Sequence, residues 1–323
     1  LFNDTINALS LVTVSGEIID ENNNILSDFN GVVYPTVFDK PVIRSTLDNN
    51  NQSASITFSE QQNVLYRGAV DAIGGHFTFS FVVPMDISYD IGFGKISYYA
   101  NDEFRDATGY YNQIKIGDSN PNAPIDEEGP TVNLYMNNEN FLFGGITDEN
   151  PLIYATIYDE NGINTAGTGI GHDIVAILDE ETSNPLILNN YYTSDLNSYQ
   201  SGRVVYPLSN LEDGNHSVSL KVWDVFNNSA EDYTEFIVVS SGEMAIEQVL
   251  NYPNPFSNQT TFQFEHNKPN EPLRVTIDIF TLNGDKVKTI IEDIINTGYR
   301  VNNITWNGKS DTGGILSNGM YVY

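Results

Sequence analysis

Cysteine is absent from all 323 residues. A disulfide framework, a cysteine nucleophile and a thiolate zinc site are therefore excluded within them. Positive charge is scarce: 14 Lys and Arg stand against 43 Asp and Glu, a formal net charge of −29. Phosphate binding needs clustered cations, and these are few and scattered, so nucleic acid is not expected as a partner. Long apolar runs are also missing. The longest, around Phe77 to Met85, contains Pro84 and is too short to span a bilayer. No basic and apolar leader follows Leu1, so neither membrane insertion nor an export signal is expected in this segment. Helix signals are sparse, and only Glu243 to Leu250 could make two turns.

What remains is β patterning nearly everywhere. In the first hundred residues Val12 and Val14, Gly31 to Pro35, Ile56 and Phe58, then Phe77, Phe79 and Phe81, and Lys95 to Ala100 alternate as half-buried strands do, with turn signals at Asn30-Gly31 and Gly74-Gly75. Residues 119–130, polar and rich in proline and acid, read as a linker. Beyond it, Val218, Leu220 and Val222 alternate with Ser219, Lys221 and Trp223 between the turn Glu212-Asp213-Gly214-Asn215 and an Asn-rich bend, the pattern of an Ig-like sandwich. The expected architecture is all-β, three tandem β-sandwich (Ig-like) modules: residues 1–118, a linker at 119–130, an Ig-like sandwich at 131–241, and a third module at 242–323.

Candidate chemistry is thin. The segment Asp159 to Ile174 is rich in glycine and holds His172 and Asp173, yet Gly167, Gly169 and Gly171 alternate with no helix after them, which implies no phosphate cradle. Adjacent residues of a strand point to opposite faces, so His172 and Asp173 do not converge, and the segment reads as a structural loop packed on a neighbouring module. His76, His216 and His266 fall in different modules and define no common site. The acidic excess suits solubility in an extracellular setting, with divalent cations as the sharper alternative. No cofactor is expected and no metal ligand is assigned. Calcium is a minority alternative, because the loops Asp159-Glu160-Asn161, Glu212-Asp213-Gly214-Asn215 and Ser310-Asp311-Thr312 offer oxygen ligands without the spacing of a twelve-residue calcium loop.

The last module is the most specific. It opens at Tyr252-Pro253-Asn254-Pro255-Phe256, where two prolines set φ and remove donors, as suits a stiff segment outside a central strand. Thr260, Phe262 and Phe264 then alternate with Thr261, Gln263 and Glu265. A hairpin follows, with Val275, Ile277 and Ile279 running out, Asn283-Gly284 turning, and Val287, Thr289 and Ile291 returning. Val301 to Trp306 and Met320 to Tyr323 form a last pair of strands joined by a Gly- and Asp-rich loop, for four or five strands in all.

These residues resemble the C-terminal sorting domain of the type IX secretion system of Bacteroidota. The likeness rests on residues 252–256, the hairpin at 279–287 with Gly284, the Gly298-Tyr299 pair, the loop from Trp306 through Gly308 to Asp311, and Gly319-Met320-Tyr321. Members of that family continue past this Tyr, so the chain is expected to be a fragment. Further stretches, Asn30 to Lys40, Phe79 to Pro84, Gly94 to Ala100, Gly167 to Ile174 and Asn251 to Asn267, widen the resemblance to the C-terminal half of the gingipain-like sortase family of the type IX system, the PorU family. That family implies a cysteine endopeptidase or transpeptidase domain upstream, which removes the sorting domain of cargo and attaches the cargo to the cell surface. It implies catalysis elsewhere and none in these residues, a location on the outer face of the outer membrane, and contacts with cargo C-terminal domains, other attachment-complex components and the β-barrel protein PorV. Tyr299, Met320, Tyr321 and Tyr323 are the candidate contacts with that barrel, whereas Trp306 reads as core. Two alternatives stay open: a surface adhesin or carbohydrate-binding cargo protein whose terminal domain is cleaved on arrival, and a structural stalk of Ig-like modules.

Overall fold

Residues 5–47, 54–166, 171–240, 244–295 and 298–323 are described by a computed structural model. They are built almost wholly of strands, and the one helical element among them is the short 3-10 turn Asn189–Tyr191. No helix among the described residues is long and apolar enough to cross a membrane. The chain is all-β, and its strands form three successive β-sandwiches. By internal contacts it divides into two compact units. One comprises Leu1–Leu134, Ala155–Tyr206 and Val218–Tyr233, the other Tyr135–Tyr154, Pro207–Ser217 and Thr234–Tyr323.

In the first sandwich the large sheet runs in the order Asp106–Tyr111, Lys95–Asn101, Gly31–Phe38, Val70–Ile73, His76–Val82 and Leu11–Glu17. A smaller sheet places Lys115–Ser119 between Ile6–Ala8 and Gly92–Phe93. The alternation of the sequence becomes the core: Val12, Val14, Val33, Val37, Phe77, Phe79 and Phe81 are buried, while their strand neighbours face outward. Gly74 and Gly75 make the tight hairpin with φ of 61° and 80°, values that a residue with a Cβ rarely adopts. The hairpin Val42–Ser45 and Thr57–Glu60 lies outside this core. Phe58 there is 45% exposed, and Ile56, just before it, is also exposed.

The middle sandwich has one sheet ordered Thr131–Met136, Leu152–Tyr158, Ser201–Pro207, Tyr192–Ser194. The other is ordered Gly145–Thr147, Ser229–Val238, Gly214–Trp223, Val175–Leu178, Leu186–Ile187. Val218, Leu220 and Val222 are fully buried, with Ala176 opposite Leu220. Of the glycine-rich segment, Gly167 to Ile170 lie outside the described residues.

Among the described residues the terminal sandwich has six strands rather than four or five. One sheet is ordered Ile246–Tyr252, Thr260–His266, Arg300–Trp306; the other is ordered Lys286–Ile295, Pro272–Thr281, Tyr321–Val322. The two last strands of the sequence thus belong to different sheets. The extra strand is the segment whose local pattern allowed two helical turns. Residues 246–252 pair instead along Thr260–His266, from Ile246 opposite His266 to Tyr252 opposite Thr261, and tertiary pairing overrides a weak local propensity. The returning arm of the hairpin departs from the alternation of Val287, Thr289 and Ile291. A bulge beside Phe280 makes Val287 an extra residue between Lys286 and Lys288, so Ile290 turns inward and Ile291 is 50% exposed.

Candidate functional site

The opening motif of the terminal sandwich is fastened by Thr260, which is fully buried. Its hydroxyl donates to the Pro253 carbonyl at 2.9 Å and accepts from the Asn251 amide at 3.0 Å. Asn254 donates in turn to the Asn251 side chain at 3.3 Å. Phe256 then meets Trp306 edge-on at 5.5 Å, and Trp306 meets Tyr321 edge-on at 5.7 Å, so three rings from three parts of the motif make one stack. Trp306 is 5% exposed, and its indole N–H donates to the Lys309 carbonyl at 3.0 Å, so it is a core residue. Gly308 turns the chain beneath Phe256 with φ of 70°, and Gly284 turns the hairpin with φ of 87°. Asp311 accepts the Thr289 N–H at 3.2 Å and faces Lys288 at 3.2 Å. These contacts, the backbone bond first, hold its carboxyl below the usual carboxylate range.

The four expected contact residues divide into two kinds. Met320 and Tyr323 are 73% and 45% exposed, and Tyr323 leans edge-on against Phe262 at 4.8 Å. Tyr321 and Tyr299 are committed internally: the Tyr321 hydroxyl donates to the Ser317 carbonyl at 2.7 Å, and the Tyr299 hydroxyl donates to Asp148 at 2.9 Å. Burial first, then the nearby Asp148 charge, pushes the Tyr299 phenol above its ordinary value. Tyr252, 69% exposed, joins Met320 and Tyr323 among the exposed apolar side chains, whereas Gly319 is exposed with open space around it and Gly298 lies beside Asn138.

Tyr299 also lines a cavity of about 450 Å³ together with Met136, Asn138, Phe141, Glu265 and Arg300. Glu265 is 3% exposed and accepts the Ile146 N–H at 3.3 Å. Burial pushes its carboxyl up, partly offset by that N–H and by Arg300. The sequence pattern put Glu265 on an open face beside Gln263. No local signal shows that the chain near Gly145 covers it, with so little room that a Cβ on Gly145 would lie 2.7 Å from the Glu265 carboxylate.

His266 is fully buried, and its Nδ1 accepts the Lys268 N–H at 3.2 Å, which leaves Nε2 as the protonated nitrogen and without a partner. Burial holds this imidazole below its ordinary value of 6.5. The folded state therefore resists a proton that the unfolded chain accepts, and His266 takes stability away as pH falls through about 6.5. Glu265 acts in the opposite sense: its contribution is fully present below the ordinary value of 4.5 and is lost as pH rises towards its raised folded value. His266→Asn keeps an acceptor for the Lys268 N–H and removes only the first effect. Its Tm is expected to fall less than that of the wild type between about pH 7.5 and 5.5. Equal falls in thermal melts would contradict this.

Two polar clusters lie in the other unit. Asp86, in the loop after His76–Val82, accepts from Asn164 at 3.1 Å, from Asn227 at 2.8 Å and from His172 Nδ1 at 2.6 Å. His172 packs on Trp223 with centroids 4.3 Å apart, and Lys221 lies over the same indole at 4.5 Å. The loop of His172 is thus tied to the first sandwich, and the pairing involves Asp86 rather than the adjacent Asp173. The second cluster joins Asp126, Asp159 and Asp224, whose carboxylate oxygens lie within 4.8 Å of one another. Burial first, with a smaller push from Asp224 and Asp126, raises the Asp159 carboxyl to about 6, and burial raises Asp224 as well. Oxygen donors of this kind could hold a hard cation. The existing donors already engage the carboxylates: Asp159 accepts the Asn161 and Gly162 N–H groups, Asp126 accepts the Asn161 amide at 2.7 Å, and Asp224 accepts the Asn228 amide at 2.8 Å. Of the three loops weighed for calcium in the sequence, the Asp159 loop alone belongs to such a cluster among the described residues. Its partners are Asp126 and Asp224, the latter in the bend after Trp223, too far along the chain for any spacing rule.

No protein-family model matches the chain. No curated protein matches it either. Among solved structures, it is similar to a tetra-tandem repeat from the extending region of a large adhesion protein, at 12% identity over 96% of this chain and 65% of that one, with a TM-score of 0.21. A variant of Salmonella alpha-2-macroglobulin is similar at 12% identity over 96% of this chain and 20% of that one, with a TM-score of 0.22. Dimeric latent PorU from Porphyromonas gingivalis is similar at 29% identity over 98% of this chain, with a TM-score of 0.43, and the chain spans 30% of the length of that PorU.

Proposed function

We propose that this chain is a non-catalytic region of a PorU-like sortase of the type IX secretion system, and that its terminal sandwich is a retained docking element for the outer-membrane barrel protein PorV. With no cysteine among the 323 residues, a cysteine nucleophile would have to come from outside them. The work left to this region is positioning.

One observation carries the choice of a retained element over a disposable tag. The terminal sandwich shares a compact unit with Tyr135–Tyr154, joined through the bond from Tyr299 to Asp148 and the bond from the Ile146 N–H to the buried Glu265. A segment that is removed on arrival is best held by an accessible tether, and cutting this one away would strand a buried polar face. The residues that carry the sorting-domain resemblance are spent on holding the module together, in the Thr260 fastening and the stack of Phe256, Trp306 and Tyr321. Tyr252, Met320 and Tyr323 remain as exposed apolar side chains of the kind that anchor interfaces.

The test is co-purification with PorV from detergent-solubilised outer membranes of the producing bacterium. Met320→Asp changes a 73% exposed side chain, so its melting is expected to match the wild type, whereas Tyr323→Ala also gives up the contact with Phe262 and is compared once melts show it folded. Recovery of both with PorV is expected to drop about tenfold or more. Undiminished recovery of both variants would refute the docking role.

A further inference from the structure

The outer face of the large sheet of the first sandwich carries exposed rings for which the proposed function has no use. Pleating puts Tyr34, Ser97, Tyr99, Thr108 and Tyr110 on that face, on three neighbouring strands. Tyr34 lies opposite Tyr99, Tyr99 opposite Thr108, and Ser97 opposite Tyr110. Tyr34, Tyr99 and Tyr110 are 40%, 42% and 71% exposed. The first two stack, with centroids 6.1 Å apart and planes at 28°. A shallow, open trough runs beside Tyr99, lined by Lys95, Ser97, Tyr99, Thr108 and Tyr110. Its floor is fixed: Tyr98 turns the other way, into the core against Phe77 and Phe79 at 5.6 and 6.4 Å.

The chemistry of the face selects a ligand. A phenol presents an apolar ring with a polar tip, and the hydroxyls of Ser97 and Thr108 both donate and accept. A sugar ring has the complementary duality, a C–H face and a rim of hydroxyls. Charge argues for a neutral ligand: Lys95 is the one charged residue of the lining, its ammonium sits over the Phe38 ring at 5.1 Å, and a net charge of −29 repels polyanions. Tyrosine also serves protein interfaces, but the hydroxyls of Ser97 and Thr108 beside the rings, from residues under-represented at protein hot spots, suit the rim of a sugar better. We infer that this face is a binding platform for a neutral oligosaccharide, whose rings stack on Tyr99 and Tyr110 and whose hydroxyls bond to Ser97 and Thr108.

The full chain is applied to an array of neutral oligosaccharides printed beside sulfated and sialylated ones, and the strongest neutral ligand is then titrated calorimetrically. Retention on neutral spots is expected. Tyr99→Ala and Tyr110→Ala should each weaken binding about tenfold or more, whereas Tyr99→Phe keeps the ring and most of the affinity. Ser97→Arg sets a bulky cation on the strand between the rings of Tyr99 and Tyr110, and is expected to abolish binding. Tyr158→Ala, which removes a 52% exposed tyrosine of the middle sandwich, should have no effect. Thermal melts confirm that each variant is folded. Retention on no neutral glycan, retention on charged spots alone, or affinities that Tyr99→Ala, Tyr110→Ala and Ser97→Arg leave unchanged would each overturn the assignment, the first in favour of a protein partner.

Discussion

Trp306→Ala is expected to lower the stability of the terminal sandwich by about 3–5 kcal/mol, the usual range for truncating a buried large aromatic. The side chain is 5% exposed and central to the stack with Phe256 and Tyr321, and its N–H bond to Lys309 holds the loop that contains Asp311. Removing the ring leaves a cavity between Phe256 and Tyr321, which come from opposite ends of the module. Trp306→Phe restores most of the volume and loses the bond, a change of roughly 1 kcal/mol beyond packing. The two tryptophans make the measurement clean. Trp223 lies in the unit of the first sandwich and Trp306 in the unit of the terminal one, so Trp223→Phe leaves a fluorophore in the terminal unit alone and Trp306→Phe leaves one in the other. Urea unfolding of Trp306→Ala, followed by circular dichroism with Trp223 fluorescence alongside, should show an early transition that Trp223 does not report. A single transition at the wild-type midpoint would show that the stack contributes little.

Asp86→Ala should cost about 2–4 kcal/mol in the other unit. The carboxylate is nearly buried and accepts from Asn164, Asn227 and His172, and Asn164 is itself fully buried. Its loss leaves the buried Asn164 amide short of an acceptor, which costs more than the bond itself contributes, while the half-buried donors of Asn227 and His172 turn to water. Asp86→Asn is the informative comparison. It preserves the shape but turns one amide N–H₂ towards the amide donors of Asn164 or Asn227, so it is expected to be destabilising, though less than alanine, because the His172 ring can exchange tautomer and accept. Urea unfolding read by Trp223 in a Trp306→Phe background follows the effect. An Asp86→Asn protein as stable as its parent would mean that the cluster is not held by acceptance at Asp86.

Much of the architecture was legible where the answer is local. Val218, Leu220 and Val222 alternate and are buried as alternation requires. Gly74-Gly75 and Gly284 turn the chain where positive φ was expected. The rest depended on pairing across long separations. Residues 246–252 become a strand because Thr260–His266 offers an edge, and no window of eight residues contains that fact. One bulge at Val287 reverses the parity of the returning arm and moves burial from Ile291 to Ile290. For the candidate sites the limit was sharper. Tyr299 was identified from its motif, but its partner Asp148 lies 151 residues away. Glu265 falls on the polar side of its strand's alternation, and its cover comes from Gly145 and Ile146, more than a hundred residues away. Asp86 drew no notice at all, since an isolated aspartate after a strand has no signature until Asn164, His172 and Asn227 are folded against it.

The most direct measurement is peptide mass spectrometry of the protein as it sits on the cell surface of the producing bacterium. A retained docking element requires peptides from both sides of residue 251 in equal amounts, including those covering Trp306 and Met320. A surface protein whose peptides stop before the Tyr252 to Phe256 motif, with the terminal sandwich found separately or not at all, would contradict the retained role and make this chain cargo.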